Sequence, residues 1–190
     1  RYDTQVIASS EKQLRVIDKF LKNYNPKLLQ DIYSSMSAGR KADTKPFELP
    51  DQEYISEWLS FDYVKKEFSE DDPEHYTSKG ERVRSKSEVM IADALEQMGI
   101  PYRYECPLDM SGRILYPDFT LLRIEDRKTL YWEHLGMMDD PVYCQNALRK
   151  LRIYEAHEIF PGINLILTIE TSCSPINTAV IKRMIETYCI

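Results

Sequence analysis

Two carboxylates stand inside otherwise apolar stretches of the sequence. Residues 114–120 read Ile-Leu-Tyr-Pro-Asp-Phe-Thr and residues 129–136 read Thr-Leu-Tyr-Trp-Glu-His-Leu-Gly, so Asp118 and Glu133 are the only acids in these two runs. A carboxylate in a half-buried strand costs free energy unless it is paired, hydrogen-bonded or bound to a cation. Two such acids on neighbouring strands favour one shared ligand, and a hard divalent cation is the simplest.

Paired strands must position these two acids. Aliphatic and aromatic residues dominate both runs, and the polar residues 125–128 (Glu-Asp-Arg-Lys) between them are typical of a connection between strands. Side chains at adjacent positions of two antiparallel strands can point to the same face. The sequence therefore predicts a hairpin that carries Asp118 and Glu133 on one face of a sheet.

The hairpin lies within a regular succession of predicted elements. Apolar spacing and capping signals predict, in order, a helix from Ser85 to Gly99, an alternating strand over 102–108, the hairpin, a helix from Pro141 to about 159, a strand over 164–170 and a helix over 176–188. The apolar run 164–170 is typical of a central strand covered on both faces. The predicted order is α-β-β-β-α-β-α.

Pro117-Asp118 followed by Glu133-His134-Leu135 resembles the motif of the PD-(D/E)XK nuclease superfamily, with leucine at the place of the motif lysine. The residues from Glu133 to Gly136 are similar to a Glu-His-(Phe/Leu)-Gly variant, found in uncharacterised bacterial proteins and in helicase-associated nuclease domains. The element order from Ser85 onward also agrees with this superfamily. The resemblance implies an α/β fold with a restriction-endonuclease-like core, in which helices flank a mixed four-stranded sheet.

The resemblance implies a metal-dependent nuclease that hydrolyses phosphodiester bonds, with DNA as the expected partner and Mg²⁺ or Mn²⁺ as the cofactor. Asp118, Glu133 and the backbone carbonyl of His134 would hold the metal, and Glu88 would act on it through water. Glu88 also completes a capping box with Ser85, and the two roles are compatible. The ring of His134 alternates away from Glu133, which favours a structural role for that ring.

Leu135 offers no charge to a phosphate, so another cation has to replace the motif lysine if the site is active. Superfamily members that lack this lysine often take it from the following helix, which implies Lys150 here, with Arg152 as the second candidate. The alternative interpretation of Lys150 is an ordinary solvated helix cation. A catalytically inactive nuclease-fold module that binds nucleic acid or protein is the alternative function, and Leu135 favours it.

Further residues near the predicted site are candidates for substrate binding. They offer cations, an amide or an aromatic ring to a phosphate or a base, and they are Arg84, Lys86, Gln145, Arg152 and Tyr154. A solvated basic loop is the alternative for the first two of these, and a core position is the alternative for Tyr154.

Residues 1–79 are predicted to form a helical extension and a connector, and residues 80–190 the nuclease-like domain. Apolar residues at helical spacing indicate helices over 5–22 and 26–36. Short helices need something to pack on, so we expect a second copy of the chain or an upstream domain to cover them. The stretch 37–79 is predicted to wrap around the domain, since its aromatic residues are too many to leave in water.

Charge and composition exclude several classes of protein. The formal net charge of −6 argues against a coat protein that binds nucleic acid by overall positive charge. No apolar run is long enough to span a membrane. The four cysteines are widely spaced and the three histidines complete no zinc spacing, which disfavours a zinc enzyme and indicates reduced thiols in the cytoplasm.

Overall fold

The computed structural model describes residues 1–70 and 72–190 of the chain. The fold is mixed α/β, with a four-stranded mixed sheet flanked by helices and a long N-terminal helix. This confirms the predicted fold class at that level. The chain forms two compact units, Arg1–Tyr54 and Ile55–Ile190.

The first unit is helical. It contains α1 (Tyr2–Asn23), α2 (Leu28–Ser34), α3 (Ala38–Ala42) and the start of α4 (Asp51–Leu59). Buried Gln30 joins α2 to the segment before α4, because its side-chain amide donates to Glu48 and Asp51 at 3.0 and 2.9 Å. None of the residues of α1 is buried. Among the described residues, no helix is long and apolar enough to cross a membrane.

The second unit holds the sheet and the predicted site. After α4 its elements are β1 (His75–Tyr76), β2 (Arg82–Val83), α5 (Lys86–Gln97), β3 (Tyr102–Tyr104), β4 (Leu108–Met110), β5 (Arg113–Leu115), β6 (Phe119–Arg123), β7 (Lys128–Leu135), α6 (Pro141–Ala156), β8 (Leu165–Ile169) and α7 (Thr178–Tyr188). The four-stranded sheet has the order β3-β6-β7-β8. Strand β7 pairs antiparallel with β6 and parallel with β8, and α6 makes the crossover that a parallel pair needs.

Two predicted strands are broken in the structure. The predicted strand 102–108 ends as β3 at Tyr104, because Glu105 adopts a left-handed backbone conformation with φ of 46°. The chain then forms a separate hairpin of β4 and β5, which turns at Ser111 and Gly112, both with positive φ. Asp118 consequently lies in a bend directly before β6 rather than inside a strand.

The prediction of a central strand over 164–170 is wrong in one respect. Leu165, Ile166 and Thr168 are buried, but β8 lies at an end of the described sheet order. A continuous apolar run indicates burial on both faces, and α6 and α7 can supply that cover to an outer strand.

Each face of the sheet packs against its own helices. Trp132 and Ile166 belong to the larger core cluster, which includes Ile91 of α5 and Ile181 of α7. Leu165 belongs to the second cluster, on the opposite face, with residues of α6 and the β4–β5 hairpin. Because side chains alternate along a strand, the neighbour of Trp132 at position 133 faces α6.

Candidate active site

Glu133 and Lys150 form an ion pair between β7 and α6. The ammonium Nζ of Lys150 lies 2.6 Å from Oε1 and 2.8 Å from Oε2 of Glu133, and it also donates to the backbone carbonyl of Tyr116 at 2.8 Å. The side chain of Glu133 is 4% exposed and that of Lys150 is 28% exposed. The structure therefore brings the predicted replacement cation directly to the predicted acid.

Local signals in the sequence place α6 where this contact is made. Asp140 caps the helix by accepting a hydrogen bond from the backbone N–H of Tyr143 at 2.7 Å, and Pro141 follows in the first turn. Both features agree with the predicted start of the helix.

Tyr154 holds the same glutamate from one helical turn further along α6. Its hydroxyl donates to Oε1 of Glu133 at 2.5 Å, and the residue is fully buried. A buried ring offers no free face to a nucleotide base. The predicted substrate contact of Tyr154 is therefore not supported, and the residue positions Glu133 instead.

Asp118 approaches the site from the bend before β6. Its Oδ2 accepts a hydrogen bond from the backbone N–H of His134 at 2.6 Å, which ties it to the residue after Glu133. Its second oxygen, Oδ1, accepts no hydrogen bond from any described residue, and the residue is only half-buried. Asp118 thus presents one carboxylate oxygen that is free for a ligand.

The charges of this group influence one another strongly. Burial and the nearby charge of Glu133 raise the pKa of Asp118 well above its usual value, against the opposing effect of Lys150. Burial also raises the pKa of Glu133. Lys150 and Tyr154 oppose this rise because they favour the ionised carboxylate. Burial acts to lower the pKa of Lys150, but the charges of Glu133 and Asp118 outweigh it and raise that pKa. Lys150 is therefore an ammonium at neutral pH.

Glu88 at the start of α5 is buried and has several hydrogen-bond partners. Its carboxylate accepts from the hydroxyl of Tyr104 at 2.7 Å, from the backbone N–H of Arg84 at 2.9 Å and from the hydroxyl of Ser85 at 3.0 Å. Ser85 in turn accepts from the backbone N–H of Glu88 at 3.1 Å, so this residue takes part in capping the helix.

Glu88 is also electrostatically linked to the two strand acids. Its charge contributes to raising the pKa of both Asp118 and Glu133. The predicted capping role is confirmed, and the action of Glu88 on a metal through water stays a prediction.

The imidazole of His134 lies on the opposite face from Glu133. Its Nδ1 is 3.0 Å from the hydroxyl of Thr168, and its Nε2 is 3.3 Å from Oε1 of Glu170. Strand alternation predicts this orientation. The contribution of His134 to the site is its backbone N–H, which binds Asp118, and the role of its carbonyl as a metal ligand stays a prediction.

The predicted substrate-binding cations differ in their surroundings. Arg84 donates to both carboxylate oxygens of Glu105 at 2.7 and 3.1 Å and to Asp72 at 2.7 Å. It also donates to two backbone carbonyls of the connector. Arg84 therefore holds the connector to the domain, and its predicted contact with substrate is not supported. Lys86, Gln145 and Arg152 are exposed on the surface.

The sequence interpretation missed two tyrosines of the site. Tyr104 binds Glu88, and Tyr143 on α6 accepts a hydrogen bond from the backbone N–H of Gly136 at 3.2 Å. Burial raises the pKa of Tyr143, and the charges of Asp118 and Glu133 add to that effect. Its spacing of seven residues from Lys150 is a helical repeat that could have identified it.

The donor set suits a small hard cation. Within residues 1–70 and 72–190, no three His, Cys, Asp or Glu side chains are grouped closely enough to hold a metal ion. Mg²⁺, however, commonly uses only one or two carboxylates and keeps several waters. Asp118 and Glu133 are two oxygen donors, and burial is the main cause of their raised pKa values. These residues fit Mg²⁺ or Mn²⁺ and do not suit zinc, which prefers nitrogen and sulfur ligands.

No family model and no solved structure matches the sequence. The chain is similar to an uncharacterised protein of Methanocaldococcus jannaschii, with 30% identity over 123 residues. The match covers 58% of this chain and 10% of the archaeal protein. The matched part of this chain thus spans about a tenth of the length of that relative.

Proposed function

We propose that this chain is a metal-dependent nuclease with a restriction-endonuclease-like core, hydrolysing phosphodiester bonds in DNA. The contact of Lys150 with Glu133 supports this most directly. Asp118 adds a second carboxylate, of which only Oδ2 accepts a hydrogen bond from the described residues. A site of this kind needs two acids and a cation. The motif itself supplies no cation here, because Leu135 stands in place of its lysine. The order of helices and strands from α5 to α7 is a second support.

Mg²⁺ or Mn²⁺ held by Asp118 and Glu133 would supply a bound water of lowered pKa and polarise the phosphate. In the hydrolysis the water oxygen bonds to phosphorus and the bond from phosphorus to one sugar oxygen breaks. The products are a phosphate monoester and a hydroxyl. Lys150 stabilises the negative charge that grows on the phosphate oxygens, since a fixed cation in a poorly hydrated site acts strongly on developing charge.

Two neighbouring groups keep the acids in place during this reaction. The hydroxyl of Tyr154 fixes Oε1 of Glu133, and the backbone N–H of His134 fixes Oδ2 of Asp118. Neither carboxylate has to reorganise when the phosphate arrives, which lowers the cost of reaching the transition state.

The proposal also covers the partners and the cellular location of the enzyme. DNA is the partner, the cytoplasm is the location, and the helices of the first unit contact a second copy or an upstream domain. The exposure of the apolar residues of α1, such as Leu14 and Phe20, supports such a contact.

An inactive nuclease-fold module is the second candidate. It is favoured by the position of Lys150, which contacts both oxygens of Glu133, and by the absence of a three-ligand group among the described residues. In this case the ion pair would be a structural link between β7 and α6.

Cleavage of labelled DNA in Mn²⁺, Mg²⁺ or EDTA distinguishes the two candidates. We expect the wild-type chain to cut in either metal and not in EDTA, and Asp118→Asn and Glu133→Gln to lose on the order of 10³-fold in rate. Glu186→Gln on the exposed side of α7 is the matched control and should cut normally. DNA binding without cleavage by wild type and variants alike, in every metal, would instead support the module.

A further inference from the structure

Helix α6 presents a row of side chains to the sheet. Tyr143, Ala147, Lys150 and Tyr154 follow one another at intervals of four, three and four residues, which places them on one face of a helix. Ala147 is buried, and its small side chain lets the helix lie close to the strands. Helical side chains lean toward the N-terminus of their helix. The ammonium of Lys150 therefore leans toward the end of the row where Tyr143 stands.

Three tyrosine hydroxyls bind the acids or the end of β7, and two of them are already engaged as donors. Tyr104 donates to Glu88 at 2.7 Å and Tyr154 donates to Glu133 at 2.5 Å. The hydroxyl oxygen of Tyr143 accepts the backbone N–H of Gly136 at 3.2 Å. No residue in the described part of the chain accepts the hydroxyl hydrogen of Tyr143.

The surroundings keep Tyr143 in the form that can donate. Burial raises the pKa of its hydroxyl, and the charges of Asp118 and Glu133 add to that effect. The phenol is therefore neutral at physiological pH and retains its hydrogen. The residue is half-buried rather than enclosed, so a ligand entering from solvent can reach it.

The position of Tyr143 is fixed from both sides. Its backbone N–H is bound by the capping carboxylate of Asp140 at 2.7 Å, and its hydroxyl is bound by Gly136, three residues after Glu133. Tyr143 is thus held both at its backbone and at its hydroxyl, and none of the described residues accepts the hydroxyl hydrogen. Such a hydroxyl can donate to a ligand oxygen, and pre-positioned donors are the effective ones in catalysis.

We propose that Tyr143 is a further catalytic residue of this site, whose hydroxyl donates a hydrogen bond to a non-bridging phosphate oxygen of the nucleic acid. The role rests on the proposed nuclease function and adds a neutral donor to the cation of Lys150. No proton is transferred in this step. The hydrogen bond strengthens as negative charge grows on the phosphate oxygen, so it favours the transition state over the bound substrate.

Two variants distinguish the role of the hydroxyl hydrogen of Tyr143 from the role of its oxygen. Tyr143→Phe removes both, whereas O-methyltyrosine at position 143 keeps an oxygen that can accept from Gly136 and carries a methyl group in place of the hydrogen. With a labelled DNA duplex in Mn²⁺, we expect both variants to lose about 10²-fold in kcat. The KM for DNA, the Mn²⁺ concentration at half-maximal rate and the unfolding temperature should stay close to those of wild type. Tyr76→Phe, at an exposed tyrosine, is the matched control.

Each remaining outcome overturns the proposal in a distinct way. Wild-type rates in both variants would show that the hydroxyl takes no part. A wild-type rate in the O-methyl variant alone would show that only the anchoring of Gly136 matters. A raised Mn²⁺ requirement in both would make Tyr143 a positioning residue for the acids. Absence of cleavage by the wild-type chain would overturn the nuclease function itself, and the role of Tyr143 with it. If Tyr143→Phe fails to fold, the O-methyl variant decides.

Discussion

At the scale of single residues, the site places like charges close together and compensates them only in part. Asp118 and Glu133 both have raised pKa values, and Lys150 is the cation nearest to Glu133 among the described contacts. The proposed metal site requires such incomplete compensation, and at these positions it would exchange stability for function.

Replacement of Lys150 by an uncharged residue tests how far its charge stabilises Glu133. In Lys150→Met, Glu133 stays buried without its partner, and we expect the free energy of unfolding to fall by about 1–3 kcal/mol in urea titrations. DNA cleavage should fall on the order of 10³-fold. Lys182→Met, at an exposed position of α7, should change neither quantity. Equal behaviour of the two variants would make Lys150 an ordinary helix cation.

Removal of an acid should have the opposite effect on stability. The folded state holds the pKa of Asp118 above its unfolded value, so it binds a proton more tightly than the unfolded chain does. The contribution of Asp118 to stability is consequently lost as pH rises from about 4 through the raised pKa. Asp118→Asn should be more stable than wild type at pH 7, by about 0.5–2 kcal/mol. The difference should shrink toward about pH 4.

Chemical denaturation of wild type and Asp118→Asn at a series of pH values measures this directly. Glu186→Gln, which alters an exposed acid, should follow the wild-type curve. A variant less stable than wild type at pH 7 would mean that Asp118 stabilises the fold and is not under electrostatic strain.

At the scale of elements, the position of α6 decides whether the site is complete. Ala147 is the small residue between Tyr143 and Lys150 on the face that packs against the sheet. Its methyl is buried, and in a well-packed core a larger side chain forces its neighbours to shift.

Enlargement of Ala147 should therefore separate the acid from its cation. Ala147→Leu is expected to lower the free energy of unfolding by about 1–3 kcal/mol, the usual cost of overpacking, and to reduce DNA cleavage. Ala156→Leu, at an exposed position of the same helix, is the control for the size change. Full activity in Ala147→Leu would show that the closeness of α6 to β7 is not required.

Local signals predicted the elements that carry the site. The cap at Asp140 and the alternation in β7 are short-range features, and they predicted the start of α6 and the direction of the ring of His134. The choice of Lys150 came from the resemblance, and the structure places it against Glu133. The break at Glu105 was missed because a contact distant in sequence helps to hold it. Its carboxylate is bound by Arg84, twenty-one residues earlier. The same contact gives Arg84 a structural role, and its role in substrate binding stays a prediction.

At the scale of the whole molecule, the net charge of −6 does not attract DNA. The proposed binding of DNA would therefore depend on local contacts, and ionised acids at the site would repel phosphate. Because a divalent cation reverses the local charge, Ca²⁺ in place of EDTA should tighten the binding of a short DNA duplex.

The acids themselves should account for that repulsion. In EDTA, Asp118→Asn and Glu133→Gln should bind the duplex more tightly than wild type, by about tenfold or about 1.4 kcal/mol, when measured by fluorescence anisotropy at one fixed salt concentration. The wild-type chain should gain more from Ca²⁺ than either variant does. Equal affinities for all three proteins in EDTA would mean that DNA binds away from these acids.

A crystal of the chain soaked in Mn²⁺ tests the central claim most directly. The anomalous signal should appear between the carboxylates of Asp118 and Glu133, with the ammonium of Lys150 moved off at least one oxygen of Glu133 to make room. A crystal without such a signal at saturating Mn²⁺, with Lys150 still on both oxygens of Glu133, would contradict the assignment of a metal-dependent nuclease.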